Sequence, residues 1–336
     1  MSDLLAIAFS DLHYHDWNKF NDNGKRTLTS LEIIGKLKSL SDEYEVPLLF
    51  TGDFFHKQSG LSNELLDHLT LNLPFIKPPE IIGITGNHDQ SQINTYPSQL
   101  SPSLYQSLCR IYPAYFKHVD LSHIKVKVQS LKKDITLRIY GIPYLTYNRG
   151  FNDALQEHLR IVKTGDKVDY HILLIHTNLH GATETDGRKM AAPDGIPENM
   201  DKYFKDFDWI LCGHIHKPQK LGKHIINIGS PNQQKSSDHS GKFGYWKIYN
   251  DKAVFKEFED LPKFKFYNSD EGHPETHDYW VPIDDIRKDT EEDTEVEEFT
   301  SSEDRGELAK KYCEARNIKS LSKINTLTKL LTDDTI

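Results

Sequence analysis

At 336 residues the chain is long enough for one large layered domain with an appendage, and its 37% hydrophobic and 27% charged residues exclude a membrane-embedded protein. A net charge of −9 argues at first sight against nucleic acid as a partner. The acid is local, however: residues 270–304 hold fifteen Asp or Glu against two Lys or Arg, which leaves 39 basic and 35 acidic residues elsewhere, a mildly basic bulk.

In chain order, LLAIAFSD (4–11) predicts a strand running into a loop. Leu28, Leu31, Ile34 and Leu37 recur every three residues and predict a helix over about 26–44, with Pro47 beyond its end. VPLLFTGD (46–53) is the second strand, LSNELLDHLTLNL (61–73) a helix, EIIGITGNHD (80–89) the third strand and SPSLYQSLCRIY (101–112) another helix. Further strands follow at Val126 and Val128, ITLRIYGIPY (135–144), YHILLIH (170–176), FDWILCGHIH (207–216) and HIINIGSP (224–231). The pair FGYWKIYN and KAVFKEFE, turning at Asn250 and Asp251, closes the domain near residue 265. Alternating strands and helices imply a layered α/β domain.

Residues 266–304 are acidic and poor in large apolar side chains apart from DYWVPI, as in a solvated linker or a reduced cap. Residues 305–336 carry an apolar stripe, Leu321, Ile324, Leu327, Leu330 and Leu331, which either docks on its own domain or offers a partner a helical face. Apolar runs such as HILLIH (171–176) fall far short of the roughly 20 residues of a membrane span. With no basic start resembling a secretory signal, a cytoplasmic location is expected. Cys109, Cys212 and Cys313, odd in number and widely spaced, support neither a disulfide framework nor a zinc ribbon. Lysines gather at Lys125, Lys127, Lys132 and Lys133 and at Lys217, Lys220 and Lys223; each cluster is either ordinary solvated surface or a place for a polyanion to meet the chain.

The chemistry sits at strand ends. The first strand exits into Asp11 and His13, the second into Asp53, the third into Asn87, His88 and Asp89, YHILLIH ends in His176 and FDWILCGHIH ends in His214 and His216. Carboxyl ends of strands in α/β sheets open into one crevice, so these residues can converge. Asp11, His13, Asp53, Asn87, His176, His214 and His216 form a donor set of carboxylate, imidazole and amide oxygen without thiolate. It suits two divalent ions, with manganese favoured by the oxygen content and magnesium, iron or zinc as alternatives. Seven donors exceed the needs of one ion, and a carboxylate bridging two ions accounts for the surplus. Glycines before Asp53, Asn87 and His214 permit tight turns.

DLH, GD, GNHD, a histidine after an apolar strand and GHIH, in that order over residues 5–231, resemble the calcineurin-like metallophosphoesterases. The resemblance implies a layered β-sandwich flanked by helices. It assigns Asp11, His13, Asp53 and His216 to one ion and Asp53, Asn87, His176 and His214 to the other. It makes His88 the group that faces the scissile phosphate and protonates the leaving oxygen or stabilises its developing charge, with Asp89 orienting the imidazole and favouring its protonated form. GDFFHKQS, IYGIPY and NIGSPNQQ are similar to segments of the SbcD-type nucleases. That similarity implies a DNA nuclease, 3′–5′ exonuclease and endonuclease, acting in end processing, recombination or repair with an SbcC-type coiled-coil ATPase. It also implies a homodimer through the early helices, and the reduced cap resembles compact phage or bacterial versions. His56 then orients DNA or is a partly buried loop residue, and Tyr144 touches DNA or packs at the sheet edge. Ser230 reads as a turn residue rather than a nucleophile. The other readings of the same motifs are a small-molecule phosphodiesterase or phosphatase and a non-catalytic scaffold on this fold.

Overall fold

The computed structural model describes residues 2–17, 24–56, 61–72, 81–92, 94, 96–129, 134–146, 148–185, 187–190, 200–234, 238, 241–267 and 278–282, all within one compact unit, Met1–Asp285. Lys132, Lys133, most of the acidic stretch and the apolar stripe of residues 305–336 lie outside them.

Two six-stranded sheets carry the fold. The first holds β1 (Leu4–Phe9), β2 (Leu48–Phe50), β3 (Ile81–Gly83), β4 (Phe116–His118), β11 (Gly244–Tyr249) and β12 (Ala253–Glu257) in the order β12-β11-β1-β2-β3-β4. The second holds β5 (His123–Gln129), β6 (Asp134–Ile142), β7 (Tyr170–His176), β8 (Trp209–Gly213), β9 (Gln219–Lys220) and β10 (Ile225–Asn227) in the order β5-β6-β7-β8-β10-β9. Strands β1 to β4 run parallel, as do β6, β7, β8 and β10; antiparallel strands close one edge of the first sheet, through β11 and β12, and both edges of the second, through β5 and β9.

Side-chain alternation divides the interior into two cores. On β7, Ile172 and Leu174 join a core shared with β1, β2 and β3, while Leu173 and Ile175 join a second core on the other face. On β8 the same division separates Trp209 and Leu211 from Ile210 and Cys212. The expected sandwich follows: one face of the second sheet packs on the first sheet and the other on α4 (Asn148–Thr164) through Phe151, Leu155 and Leu159. At Gly141 the sheets come so close that a Cβ would stand inside 3.0 Å of Ile84 Cγ2 and Val119 O.

Helix α1 (Lys25–Tyr44) packs on the first sheet through Leu31, Ile33, Ile34 and Leu37. Leu28, expected on that stripe, is 47% exposed. Helices α2 (Asn63–Asn72) and α3 (Leu104–Ile111) fall in the predicted stretches, and Ser103 caps α3 by accepting from the Gln106 amide. Helix α4 and the short α5 (Met200–Tyr203) are not among the predicted elements, although Phe151, Leu155 and Leu159 recur every four residues. DYWVPI contributes β14 (Tyr279–Pro282), which pairs in parallel with β13 (Phe264–Tyr267), so pairing continues past residue 265. Among the described residues no helix is long and apolar enough to cross a membrane.

Candidate metal centre

All five donor-bearing strands end at one rim, but they come from two sheets. β1, β2 and β3 deliver Asp11, Asp53 and Asn87 from the first, and β7 and β8 deliver His176 and His214 from the second. The crevice is therefore the open end of the sandwich rather than a crossover within one sheet. The Asp11 amide donates to Gly52 O at 2.9 Å and the His13 amide to Asp53 O at 3.1 Å, which ties the first two loops together.

Backbone strain falls on the donors themselves. Asp11, His13, Asp53 and His214 have φ of 49°, 48°, 60° and 101°, a left-handed region costing roughly 1–3 kcal/mol per non-glycine residue. Of the three glycines expected to free the turns, only Gly52 has positive φ, at 104°. Gly86 and Gly213 serve close approach instead. A Cβ on Gly86 would lie inside 3.0 Å of Asp53 Oδ1 and the Asp53 amide nitrogen, and one on Gly213 inside 3.0 Å of Ser10 Oγ and Thr51 O. Gly86→Ala should therefore destabilise the fold by about 1–3 kcal/mol and push Asp53 out of place. Thermal unfolding should register the loss, and metal titration a weakened site. An unchanged midpoint with unchanged affinity would mean that the loop yields freely.

The donors gather in two groups whose ligand atoms all lie within 4.8 Å of one another: Asp11, His13 and His216, and Asp53, His176 and His214. His13 Nε2 faces His216 Nε2 at 3.1 Å, and Asn87 Oδ1 stands 2.9 Å from His176 Nε2 and 3.2 Å from His214 Nδ1. Asp53 Oδ2 is 3.3 Å from His176 Nε2 and 3.8 Å from His13 Nε2, so one carboxylate oxygen reaches both groups. Asp11 completes the frame by accepting from the His214 amide at 3.1 and 3.2 Å. Asp11, Asp53 and His176 are 0–2% exposed. So many lone pairs aimed at two points inside a buried pocket fit a pair of divalent cations, which would satisfy them together.

Charge inside the pocket is divided unevenly. Burial, and the neighbouring charge of His88, hold His13 well below the usual imidazole range. Burial together with His176 pushes His214 down to about 3. Burial also opposes charge on His176, but the Asp53 carboxylate overrides it and holds this ring up at about 9, while burial of Asp53 is in turn outweighed by His176 and His88, which keep its carboxyl well below the ordinary range. Near neutral pH the metal-free His176 therefore carries a proton that a cation must displace, whereas His13 and His214 are already ligand-ready. Metal affinity should rise about tenfold per pH unit up to roughly pH 9 and then level off. Near pH 7.5, binding should release close to one proton. The slope of calorimetric enthalpy against buffer ionisation enthalpy measures it, and a slope of zero would show that His176 is neutral before metal binds.

His56, His88 and His13 form a third close group at the exposed side. His88 Nδ1 lies 2.8 Å from the carbonyl of His56, and the two rings stack at 5.2 Å and 10°. Asp89 lies beneath the two ligand loops. It is fully buried, and its oxygens accept from the amides of Asp53, Gly86 and Phe55 at 2.9–3.0 Å, so it braces the two ligand loops while the His56 carbonyl orients the His88 ring. Tyr144, 5% exposed, packs at 5.5 Å on His214 and 6.0 Å on His176. Ser230 and Gln234, not expected as site supports, donate to the Asp11 carbonyl at 3.0 and 3.3 Å, and NIGSPNQQ is the sequence signal that points to them. Of the basic clusters, Lys125 is paired with Asp166, and Lys220 lies over the Trp246 ring.

Residues 5–218 match the model of the calcineurin-like phosphoesterase family. The SbcD component of the SbcCD nuclease of Staphylococcus epidermidis is 24% identical over 263 residues, 70% of this chain and 64% of that protein, so the chain spans slightly less than two thirds of that relative's length. Solved structures that resemble it include GAP50, the anchor in the inner membrane complex of Plasmodium, at TM-score 0.44 and 12% identity over 73% of this chain and 80% of that one. The calcineurin-like phosphoesterase YfkN of Bacillus subtilis is another, at TM-score 0.40 and 11% identity over 76% and 89%. The family match covers most of the chain and contains every strand end that carries a donor, and the donors themselves meet in two metal-ready groups. The chain belongs to the calcineurin-like phosphoesterase family, whose members are metal-dependent hydrolases.

Proposed function

We propose that this chain is a two-metal-dependent DNA nuclease. It would hydrolyse phosphodiester bonds as a 3′–5′ exonuclease and endonuclease, with manganese as the favoured ion and a coiled-coil ATPase of the SbcC type as partner. The single observation that carries the two-metal reading is the reach of Asp53 Oδ2 to both donor groups. The nuclease reading is supported by GDFFHKQS, which sets His56 against His88, and by the relative named as a nuclease component.

Each residue then has a defined task. Asp11, His13, Asp53 and His216 would hold one ion, and Asp53, Asn87, His176 and His214 the other. When bound, the ions supply Lewis acidity toward the phosphoryl oxygens and lower the pKa of water. His88 donates through Nδ1 to the His56 carbonyl, and Nε2 is the nitrogen that gives its proton to the leaving oxygen. Asp89 keeps the Asp53 and Asn87 loops in register.

The test is to incubate the purified chain and manganese with end-labelled linear duplex, labelled single strands and bis(p-nitrophenyl) phosphate. Stepwise shortening of a DNA substrate is expected. Hydrolysis of the small diester with both DNA substrates intact would replace the nuclease by a small-molecule phosphodiesterase.

A further inference from the structure

A column of planar groups in contact leads from the proposed acid out to helix α1. His88 stacks on His56 at 5.2 Å and 10°. Trp17 lies against His56 at 4.9 Å and 39°, and the Arg26 guanidinium sits 3.8 Å above the Trp17 ring. His15 buttresses the joint, 5.1 Å from Trp17 and 4.9 Å from His56. No two of Arg26, Trp17, His56 and His88 are neighbours in sequence, and among the described residues no metal donor group includes His15.

The far end of the column is anchored. Arg26 is only 5% exposed, and its Nη2 donates to Gln234 O at 2.8 Å. Gln234 Nε2 in turn donates to the carbonyls of Asp11 and Leu12. Phe264 on β13 and Tyr279 on β14 flank the guanidinium at 5.1 and 5.7 Å, and the Tyr279 hydroxyl donates to Thr29 of α1 at 2.8 Å. The small sheet contributed by DYWVPI therefore walls in the base of a column whose tip is the proposed acid.

We propose that Trp17 is a positioning residue: held by Arg26, it fixes the ring and loop of His56, and through them the imidazole of His88. The inference rests on the role given to His88 under the proposed function. The physical reason is that the terminal torsion of an imidazole is soft and broad. His88 is held at its Nδ1 by the main chain of His56, so its alignment is as good as the placement of that residue. A cation over an indole face and offset stacking of rings give the column preferred separations, which a smaller side chain at Trp17 would lose. A displacement of about 1 Å at a proton donor can cost as much as about 10²-fold in rate.

The experiment compares Trp17→Ala, Trp17→Phe, His88→Ala and the double variant Trp17→Ala/His88→Ala in the full chain loaded with manganese. The substrates are two thymidine 5′-phosphodiesters that differ only in leaving group, p-nitrophenyl and phenyl. Phenolate is the poorer leaving group and depends more on a proton donor. Trp17→Ala should keep its metal content, lower kcat on the phenyl ester about tenfold or more with KM within about twofold, and affect the p-nitrophenyl ester far less. Trp17→Phe should restore most of the loss, and Trp17→Ala should add nothing to His88→Ala. An equal loss on both esters, a loss that persists in the His88→Ala background, or no loss would each overturn the proposal. A wild-type chain that cleaves both esters but no DNA would remove the nuclease reading and leave this inference standing.

Discussion

Asp53→Ala should abolish phosphodiester hydrolysis and loosen both metal ions. Its Oδ2 lies within 3.8 Å of imidazoles from both donor groups, so under the proposed assignment its loss removes a ligand from each ion at once. Ions acting as Lewis acids contribute several kcal/mol each to the transition state, and about 1.4 kcal/mol corresponds to a decade in rate. The expected loss is therefore on the order of 10⁴-fold or more. Asp53 also accepts the His88 amide at 2.9 Å and supports the proton on His176, so the substitution frees the acid-bearing loop and lets burial pull His176 toward neutrality. Asp53→Asn is the informative companion, because its amide oxygen can still accept from the His88 amide while the bridging charge is gone. Elemental analysis after desalting should show the wild type with two manganese ions and both variants with fewer. Two tightly held ions in either variant would sink the bridging assignment.

Much of this site is legible in the sequence because each donor sits where an apolar run stops, and a polar side chain of ligand chemistry is costly to bury anywhere else. Asp11, Asp53, Asn87, His176 and His214 all mark the ends of strands whose apolar character is plain in the sequence. What strand ends cannot reveal is membership of a sheet. β3 and β7 look alike as short apolar runs, and only the pairings assign one to each layer of the sandwich. For Asp89, adjacency in GNHD suggests a partner next door. Its actual partners include the amides of Asp53 and Phe55, more than thirty residues away in sequence. The contact of Trp17 with Arg26 and His56 leaves no trace in periodicity, since it joins a loop, a helix start and a second loop through ring faces rather than a repeat. Helix α4 shows the opposite failure: its every-fourth-residue pattern is present at Phe151, Leu155 and Leu159, but apolar positions spaced among polar ones stand out less than the continuous apolar strands on either side.

His88→Ala should leave metal content intact and lower turnover about 10²–10⁴-fold, the range supplied by a positioned general acid. His88 belongs to neither of the groups that Asp53 joins, yet it shares the third group with His13 and His56, so two physical roles must be separated. If His88 serves as the acid, the variant binds both ions with wild-type affinity, and its loss is largest for substrates with poor leaving groups. If instead the trio of imidazoles holds a cation, His88→Ala and His56→Ala should each lower the metal count, and the loss in rate should follow metal concentration rather than leaving group. The stack of His88 on His56 and its hydrogen bond to the His56 carbonyl favour the first role. A ring tied through Nδ1 to a carbonyl has its Nε2 directed away from that tie, which suits proton transfer to a substrate over the metals. Titrating manganese into the variant while following cleavage of the phenyl ester decides the matter: a rate that stays depressed at saturating metal supports the acid, and recovery to the wild-type rate excludes it.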